Sequence, residues 1–216
     1  GMLPAGEGDR ILNGANDDAS GTACVMELAA ALAHSPERTK RSVVFLAFFG
    51  EERGMLGSRY YARNAVFPLA RTVAAINLEH LGRTDDLDWD RTGMFSVTGM
   101  AFSTLAATLV AGGDAEGLKA YNDPATNVLL FRRSDNYPLA AAGIPAHTVH
   151  VSYRFPDYHR PGDHWEKLNY GNMERVARGL AVALWRVAND PQAPHWAETD
   201  PRTEPFRKAQ EALRGR

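Results

Sequence analysis

Two apolar runs, each followed by acidic residues, constrain the fold of this chain most strongly. Ser42–Phe49 (SVVFLAFF) is continuously apolar and rich in β-branched and aromatic residues, and Thr72–Leu78 is a second run of this kind. Such runs are typical of strands that are buried on both faces of a parallel sheet. Because ligands bind outside the carboxyl ends of these strands, we expect a site where Glu51, Glu52 and Glu79 follow them.

Segments with helical periodicity alternate with the predicted strands. Apolar residues at three- and four-residue steps predict helices at Ala19–His34 and Asn172–Val187. Shorter helices are predicted at 56–63 and 102–110, and weaker strands at 95–98, 127–131 and 145–151. This alternation predicts an α/β fold with a mostly parallel central sheet and helices on both faces. We expect a single domain over 1–216, with a loop at 1–12 and a tail at 190–216 that ends in a short helix.

Composition excludes several classes of protein. The chain has 216 residues, 44% of them hydrophobic, and a net charge of -2, which gives no reason to expect nucleic acid as a partner. No apolar run approaches the roughly 20 residues of a membrane span. The single cysteine, Cys24, excludes a disulfide framework and a cysteine-rich zinc site, and its helical apolar setting predicts a buried structural thiol.

Acidic residues in three short motifs are candidates for metal binding. Asp17 lies in GANDDASG, Glu51 and Glu52 in GEERGMLGS, and Glu79 in NLEHLG. A helix cap would also explain Asp17, and a solvated turn would explain the paired glutamates. Adjacent residues point in different directions, however, so one glutamate could bind a metal while the other holds a water. Within NLEHLG we favour Glu79 over His80 as the ligand.

A fourth motif, YHRPGD, offers an imidazole and a phenol in a polar loop. His159 is a candidate zinc ligand, and Tyr158 could donate a hydrogen bond to a developing oxyanion. Asp163 is expected to orient the His159 ring as an acceptor. For the other histidines outside these motifs we expect structural roles.

Five motifs in the same order carry a resemblance to a known family. They are GANDDASG, GEERGMLGS, NLEHLG, RSDNYPLAAAGIPA and YHRPGD, and the likeness runs from about Asn13 to Val187. In this order they resemble the zinc aminopeptidase family that includes aminopeptidase Y, bacterial leucyl aminopeptidases and glutamate carboxypeptidase II. The resemblance implies a zinc exopeptidase fold of the phosphorylase/hydrolase type and hydrolysis of N-terminal residues from peptide substrates.

The resemblance also implies a role for each site residue. Asp17 would bridge two zinc ions, Glu52 and His159 would complete the first site, and Glu79 would bind the second zinc. Glu51 would be the general base that takes a proton from the metal-bound water. Tyr158 would stabilise the tetrahedral oxyanion. Apart from the resemblance, Tyr137, Tyr153 and Phe155 are candidates for lining the pocket that sets specificity. Asp135, Tyr137 and Asp163 are candidates for a supporting or substrate-binding role.

The chain departs from the family pattern at three places. Glu79 stands where the family has aspartate, and Asn136 stands where it has the histidine of an SDH motif. The third departure is the absence of an upstream H-x-D motif from this chain. In the family, the histidine of that motif binds the second zinc. We therefore expect a fragment of a longer protein that lacks N-terminal strands and holds zero or one zinc ion, where the full-length protein holds two. The surface exposed by missing strands would favour self-association, and the family suggests export to the periplasm or the medium.

Two alternatives remain open from the sequence. A glutaminyl-peptide cyclase of related fold uses a single zinc on an Asp-Glu-His trio and needs no upstream histidine. A metal-free binding module of the same fold is the other alternative. The presence of Glu51, Glu52, Tyr158 and His159 argues against the second, because a scaffold does not need that set.

Overall fold

The computed structural model describes residues 1–6 and 8–215 of the chain, and it leaves the side chains at 124 and 125 undescribed. Position 7 of the predicted 1–12 loop and position 216 of the predicted 190–216 tail therefore lie outside the described residues. The central sheet has four strands, which are β1 (Ala75–Leu78), β2 (Met94–Val97), β3 (Lys119–Ala120) and β4 (Ala146–His150). Their order across the sheet is β1-β4-β2-β3. Two of the three pairings, β1 with β4 and β2 with β3, are parallel, and β2 with β4 is antiparallel.

Helices cover both faces of this sheet, as predicted. They are α1 (Ser20–His34), α2 (Leu56–Arg63), α3 (Thr104–Ala115), α4 (Pro124–Leu130), α5 (Asn136–Ala141), α6 (Tyr170–Asn189) and α7 (Glu204–Arg214). The α/β fold is thereby confirmed. None of the described helices is both long enough and apolar enough to cross a bilayer.

Two apolar clusters form the core. The first packs α1, α3 and α6 against the sheet, through residues such as Cys24, Leu109 and Leu180. The second lies around Phe131 and Trp196 and includes side chains of α5 and α7. Cys24 is 1% exposed, which agrees with the structural role predicted for its thiol. The site is formed by loops that leave this core at one edge.

The prediction of a strand at Ser42–Phe49 is wrong. The segment forms no ladder, because no strand in the described part of the chain pairs with it. Its ends are held by single bonds, from Arg41 N to the Ala188 carbonyl and from Gly57 N to the Phe49 carbonyl. A strand needs a partner for its backbone groups, so an apolar run alone does not produce one.

The prediction of a strand at Asn127–Phe131 is also wrong, because these residues belong to the end of helix α4. The Asp123 side chain accepts a hydrogen bond from Thr126 N, and a proline occupies the first turn. This combination of a cap and a proline at the first helical position starts a helix. The local start signal therefore prevails over the β-branched and apolar content of the segment.

Close contact between α3 and the sheet depends on the absence of a side chain at Gly113. A methyl group there would overlap the ring of Phe95. We expect Gly113→Ala to lower the free energy of unfolding by about 1–3 kcal/mol through overpacking. Gly171→Ala in α6 is the control, since only an oxygen 3.8 Å away faces its added methyl. Urea denaturation of both variants checks this, and equal stability of the two would contradict it.

A buried histidine in β4 makes the fold sensitive to acid. The Nδ1–H of His147 donates to the Thr98 carbonyl at 2.7 Å, and the Ser103 hydroxyl donates to its Nε2 at 2.6 Å. Burial disfavours the charged imidazolium and lowers the pKa of His147 from 6.5 to about 4. Between these values the unfolded chain binds more protons than the folded chain, so stability falls as the pH drops through 6.5 towards 4.

The size of this effect follows from the two pKa values. Between pH 7.5 and pH 5 the His147 contribution to stability is expected to fall by about 2 kcal/mol. His147→Gln, which does not titrate, should reduce the loss of unfolding free energy over this range by that amount. The matched control is His34→Gln at the exposed end of α1. Urea denaturation at both pH values measures the difference, and an unchanged pH dependence in His147→Gln would refute the assignment.

Candidate metal and catalytic site

Asp17 is positioned by the turn at Ala15–Ala19 that leads into α1. The backbone N–H groups of Asn16 and Asp17 donate to the Asp163 carboxylate at 3.0–3.1 Å, which fixes the turn. The neighbouring Asp18 takes the capping role, since its Oδ1 accepts from Gly21 N at 3.2 Å. The capping interpretation therefore applies to Asp18, and the Asp17 carboxylate is left to face the cleft.

Glu51 and Glu52 lie in a single helical turn between two glycines. Gly50 and Gly54 have φ values of 71° and 93°, which a residue with a side chain rarely adopts. These left-handed positions turn the backbone tightly on both sides of the acidic pair. Both carboxylates line the same cleft, whose volume is about 220 Å³. The pair is therefore close enough to Asp17 to share one site with it.

Glu79 and His80 follow β1 directly. Glu79 N donates to the Val149 carbonyl at 3.1 Å, which extends the pairing of β1 with β4 by one residue. Successive side chains of a strand point to opposite faces, so two neighbours would not normally face one site. His80 has a φ of 53°, however, and this left-handed turn brings its ring to the same side as Glu79.

His159 reaches the cleft from the loop after β4. Its Nε2 lies 3.0 Å from Asp17 Oδ2 and 2.8 Å from Glu52 Oε1. The Tyr158 ring stacks on the His159 ring with centroids 3.9 Å apart. The YHRPGD loop therefore supplies both an imidazole and a phenol to the cleft.

These side chains form two trios that share Asp17. Asp17, Glu52 and His159 form the first, and Asp17, Glu79 and His80 form the second. Within each trio, one ligand atom from every residue lies within 4.8 Å of the others. The two oxygens of Asp17 divide between them: Oδ2 faces His159, and Oδ1 lies 3.3 Å from His80 Nε2. A carboxylate in this position can bridge two cations.

The electrostatics of the cleft favour a cation. Burial and the nearby carboxylates raise the pKa of Glu51 to about 7 and hold the pKa of Glu79 well above its usual range. Burial also raises the pKa of Asp17, but the facing imidazoles of His80 and His159 more than offset this and leave it below the ordinary value. Crowded carboxylates resist ionisation, and a bound positive charge would remove that resistance.

Two of the predicted supporting residues do not have the roles that the sequence suggested. Asp163 does not orient His159, because its carboxylate accepts the backbone N–H groups that hold the Asp17 turn. Tyr137 was a candidate for lining the substrate pocket, but its ring packs against Phe131 and Phe206 in the second core cluster. Its spacing within RSDNYPLA also fits the buried face of helix α5, which explains the wrong prediction.

The RSDN segment makes buried hydrogen bonds next to the site. Asp135 is 8% exposed and accepts a hydrogen bond from the Ser58 hydroxyl of α2. Asn136 is buried, donates to the Phe131 carbonyl at 3.0 Å and accepts from the Thr148 hydroxyl at 2.9 Å. Asn136 therefore has a structural role, and the departure from the SDH pattern does not remove a side chain from the cleft.

The structure also adds residues that sequence reasoning missed. Met55 and Arg133 line the cleft together with the predicted acidic residues and with Tyr153, which the sequence did offer as a candidate. Arg133 is exposed and is the one basic side chain, apart from His159, among the residues lining it. Arg133 is the first residue of the RSDNYPLAAAGIPA motif, and its place in that motif was the signal that could have identified it.

Comparison with known proteins identifies the family of this chain. A sequence profile described as peptidase family M28 matches residues 3–184. The chain belongs to peptidase family M28. This M28 chain is 35% identical over 227 residues to a probable zinc metalloprotease of Pyrenophora tritici-repentis, with 84% of the chain and 49% of the relative covered.

Solved structures support the same fold for the M28 chain. The aminopeptidase from Aneurinibacillus sp. strain AM-1 matches with a TM-score of 0.67 and 26% identity, over 83% of this chain and 41% of that one. The glutaminyl cyclase of Porphyromonas gingivalis matches with a TM-score of 0.55 and 16% identity, over 81% and 64% of the two chains. The second likeness shows the fold alone. The M28 chain thus spans about half the length of the first relatives that it matches.

Proposed function

We propose that this chain is the catalytic region of a zinc-dependent aminopeptidase, which removes N-terminal residues from peptides. The observation that carries the proposal is the position of Asp17. Its two carboxylate oxygens face two different imidazoles, each accompanied by a glutamate. Membership of peptidase family M28 and the likeness to a solved aminopeptidase support the same reaction class.

The side chains of the cleft fit zinc. Carboxylate oxygens and imidazole nitrogens are its usual ligands in catalytic sites. Asp17, Glu52 and His159 would hold one ion, because their ligand atoms already converge without one. The buried Oε2 of Glu79 has no hydrogen-bond partner among the described residues, which also fits a cation. Bound zinc would supply Lewis-acid polarisation of the substrate carbonyl.

The chain's own residues can move the protons that peptide hydrolysis requires. Glu51 lines the cleft but belongs to neither trio, so its carboxylate is available as a general base. It would accept a proton from the attacking water and then deliver it to the leaving amine nitrogen. Tyr158 lines the same cleft and would donate its O–H to the developing oxyanion.

The lining of the cleft favours a free amino terminus. Four carboxylates, those of Asp17, Glu51, Glu52 and Glu79, line it against the single guanidinium of Arg133, and bound zinc would offset much of their charge. A free α-amine could coordinate zinc or donate to a carboxylate that holds no ion, whereas an acylated terminus could do neither. This asymmetry supports removal of N-terminal residues rather than cleavage within a chain.

The proposal is tested with zinc-loaded protein and a panel of aminoacyl-p-nitroanilides. We expect release of p-nitroaniline from at least one member and none from its N-acetylated counterpart. A glutaminyl peptide in the same panel reports ring closure, the reaction of the cyclase alternative. The absence of any hydrolysis by protein that has bound zinc would overturn the proposal, and ring closure alone would replace it.

The role of Tyr158 gives a separate prediction. Tyr158→Phe removes the O–H but keeps the ring that stacks on His159. We expect kcat to fall by about 10²-fold with little change in KM, because an oxyanion donor acts mainly in the transition state. Tyr60→Phe, at an exposed position in α2, is the control. Equal kcat values for the two variants would show that Tyr158 is not the donor.

Self-association and export remain predictions from the sequence. Val44, Leu46 and Phe49 are exposed in the segment before the acidic pair. Such a strip would favour contact between copies of the chain.

A further inference from the structure

The second trio contains a histidine that the family resemblance did not supply. The sequence predicted only Asp17 and Glu79 as ligands of a second zinc ion within this chain, and therefore weak or absent occupancy of that site. In the structure, His80 lies beside them and its ring nitrogen completes a three-residue group. This imidazole is either a metal ligand or a ring that only packs against its aromatic neighbours.

Buried atoms without partners favour a ligand. His80 is 1% exposed and Glu79 is 7% exposed. Both ring nitrogens of His80 and the Oε2 of Glu79 have no hydrogen-bond partner among the described residues. Buried polar atoms are normally satisfied, and each exception needs an explanation. A cation bound between Glu79 and His80 would give a partner to Glu79 Oε2 and to one ring nitrogen of His80.

The spacing within the trio agrees with a shared ion. His80 Nε2 lies 3.3 Å from Asp17 Oδ1, but this contact lacks the alignment of a hydrogen bond. Two ligands that each lie about 2.0–2.1 Å from one tetrahedral zinc are separated by roughly 3.3–3.4 Å. The observed separation is therefore the one that two ligands of one ion would have.

The backbone holds His80 in this position. Its left-handed φ of 53° is uncommon for a residue other than glycine. The turn is fixed at both ends, because His80 N donates to Asp18 Oδ1 at 3.1 Å and Val151 N donates to the His80 carbonyl at 3.1 Å. The ring is confined by Tyr153 and Tyr158, with centroid distances of 4.9 Å and 5.4 Å. An uncommon backbone conformation that is fixed in this way is characteristic of functional positions.

We propose that His80 is a ligand of a second zinc ion, which it binds together with Asp17 and Glu79. The proposal rests on the proposed function, since Asp17 is shared with the first site. The chain as it stands then offers three ligands to each of two ions, and Asp17 bridges them.

Zinc titration of the whole chain tests this assignment. Calorimetry and metal analysis are expected to give two zinc ions per wild-type chain. His80→Asn keeps a residue that tolerates the left-handed backbone, and it should retain one ion. The affinity for the second ion should fall by more than about 100-fold. The loss of a residue that only hydrogen-bonds to a metal ligand costs about 10–100-fold. His34→Asn, at the exposed end of α1, is the matched control and should bind two.

Nitrogen NMR of the imidazoles in the wild-type chain tests the same assignment without relying on a variant that has to fold. Of the 7 histidines, two should shift to metal-coordinated values on addition of zinc. A shift of one imidazole only, or two ions retained by His80→Asn, would overturn the role of His80 and leave the first site and the proposed function intact. Binding of no zinc at all would overturn both.

Discussion

Replacing Glu51 by glutamine is expected to lower kcat by about 10²–10⁴-fold, the usual contribution of a positioned general base. Glutamine keeps the size of the side chain but cannot accept the proton of the attacking water. Glu51 belongs to neither metal-binding trio, so zinc content should stay unchanged. Steady-state hydrolysis of an aminoacyl-p-nitroanilide, with metal analysis of the same sample, measures both quantities.

The control for this prediction is Glu166→Gln, which changes an exposed glutamate far along the sequence from the paired acids. It should retain wild-type kcat. A Glu51→Gln variant that keeps more than a tenth of wild-type kcat would show that another group is the base. Loss of zinc from this variant would instead place Glu51 among the ligands.

Replacing Asp17 by asparagine is expected to have the largest effect on metal binding. Asp17 is common to both trios, so a single amide removes the ligand oxygen of one trio and the negative charge that both trios share. Zinc affinity should fall by more than about 100-fold at the first site, since the loss of an outer partner alone costs 10–100-fold. Hydrolysis should fall to the background rate. Zinc titration and the p-nitroanilide assay measure these outcomes.

The Asp17→Asn variant should still fold. The bonds between this turn and Asp163 run through backbone N–H groups, which the substitution preserves. Asp114→Asn, at an exposed position in α3, is the matched control and should bind zinc as wild type does. Zinc affinity of Asp17→Asn within tenfold of the control would contradict the shared-ligand assignment.

Much of the site could be predicted because its residues lie at the ends of elements. Asp17 precedes a helix, Glu51 and Glu52 lie between turn-forming glycines, and His159 follows the last strand. The carboxyl ends of parallel strands meet at one edge of a sheet, and the structure brings these side chains to one cleft. Topology therefore accounts for Glu79 and His159, which follow β1 and β4, whereas Glu51 and Glu52 reach the cleft without the strand that the sequence predicted before them.

The parts that could not be predicted depend on partners distant in sequence or on single backbone angles. Whether Ser42–Phe49 becomes a strand depends on a neighbouring strand, which its own composition does not encode. The role of Asp163 was wrongly assigned because the backbone N–H groups that its carboxylate accepts lie 146 and 147 residues away in sequence. Glu79 was favoured over His80 because His80 could be an ordinary polar neighbour, and the left-handed φ of His80 is not visible in the sequence.

Anomalous diffraction at the zinc edge, from crystals of the zinc-loaded chain, tests the central claim most directly. We expect a peak bounded by Asp17, Glu52 and His159, and a second peak on the other side of Asp17, bounded by Glu79 and His80. Peaks at surface positions only, with none in contact with Asp17, would contradict it.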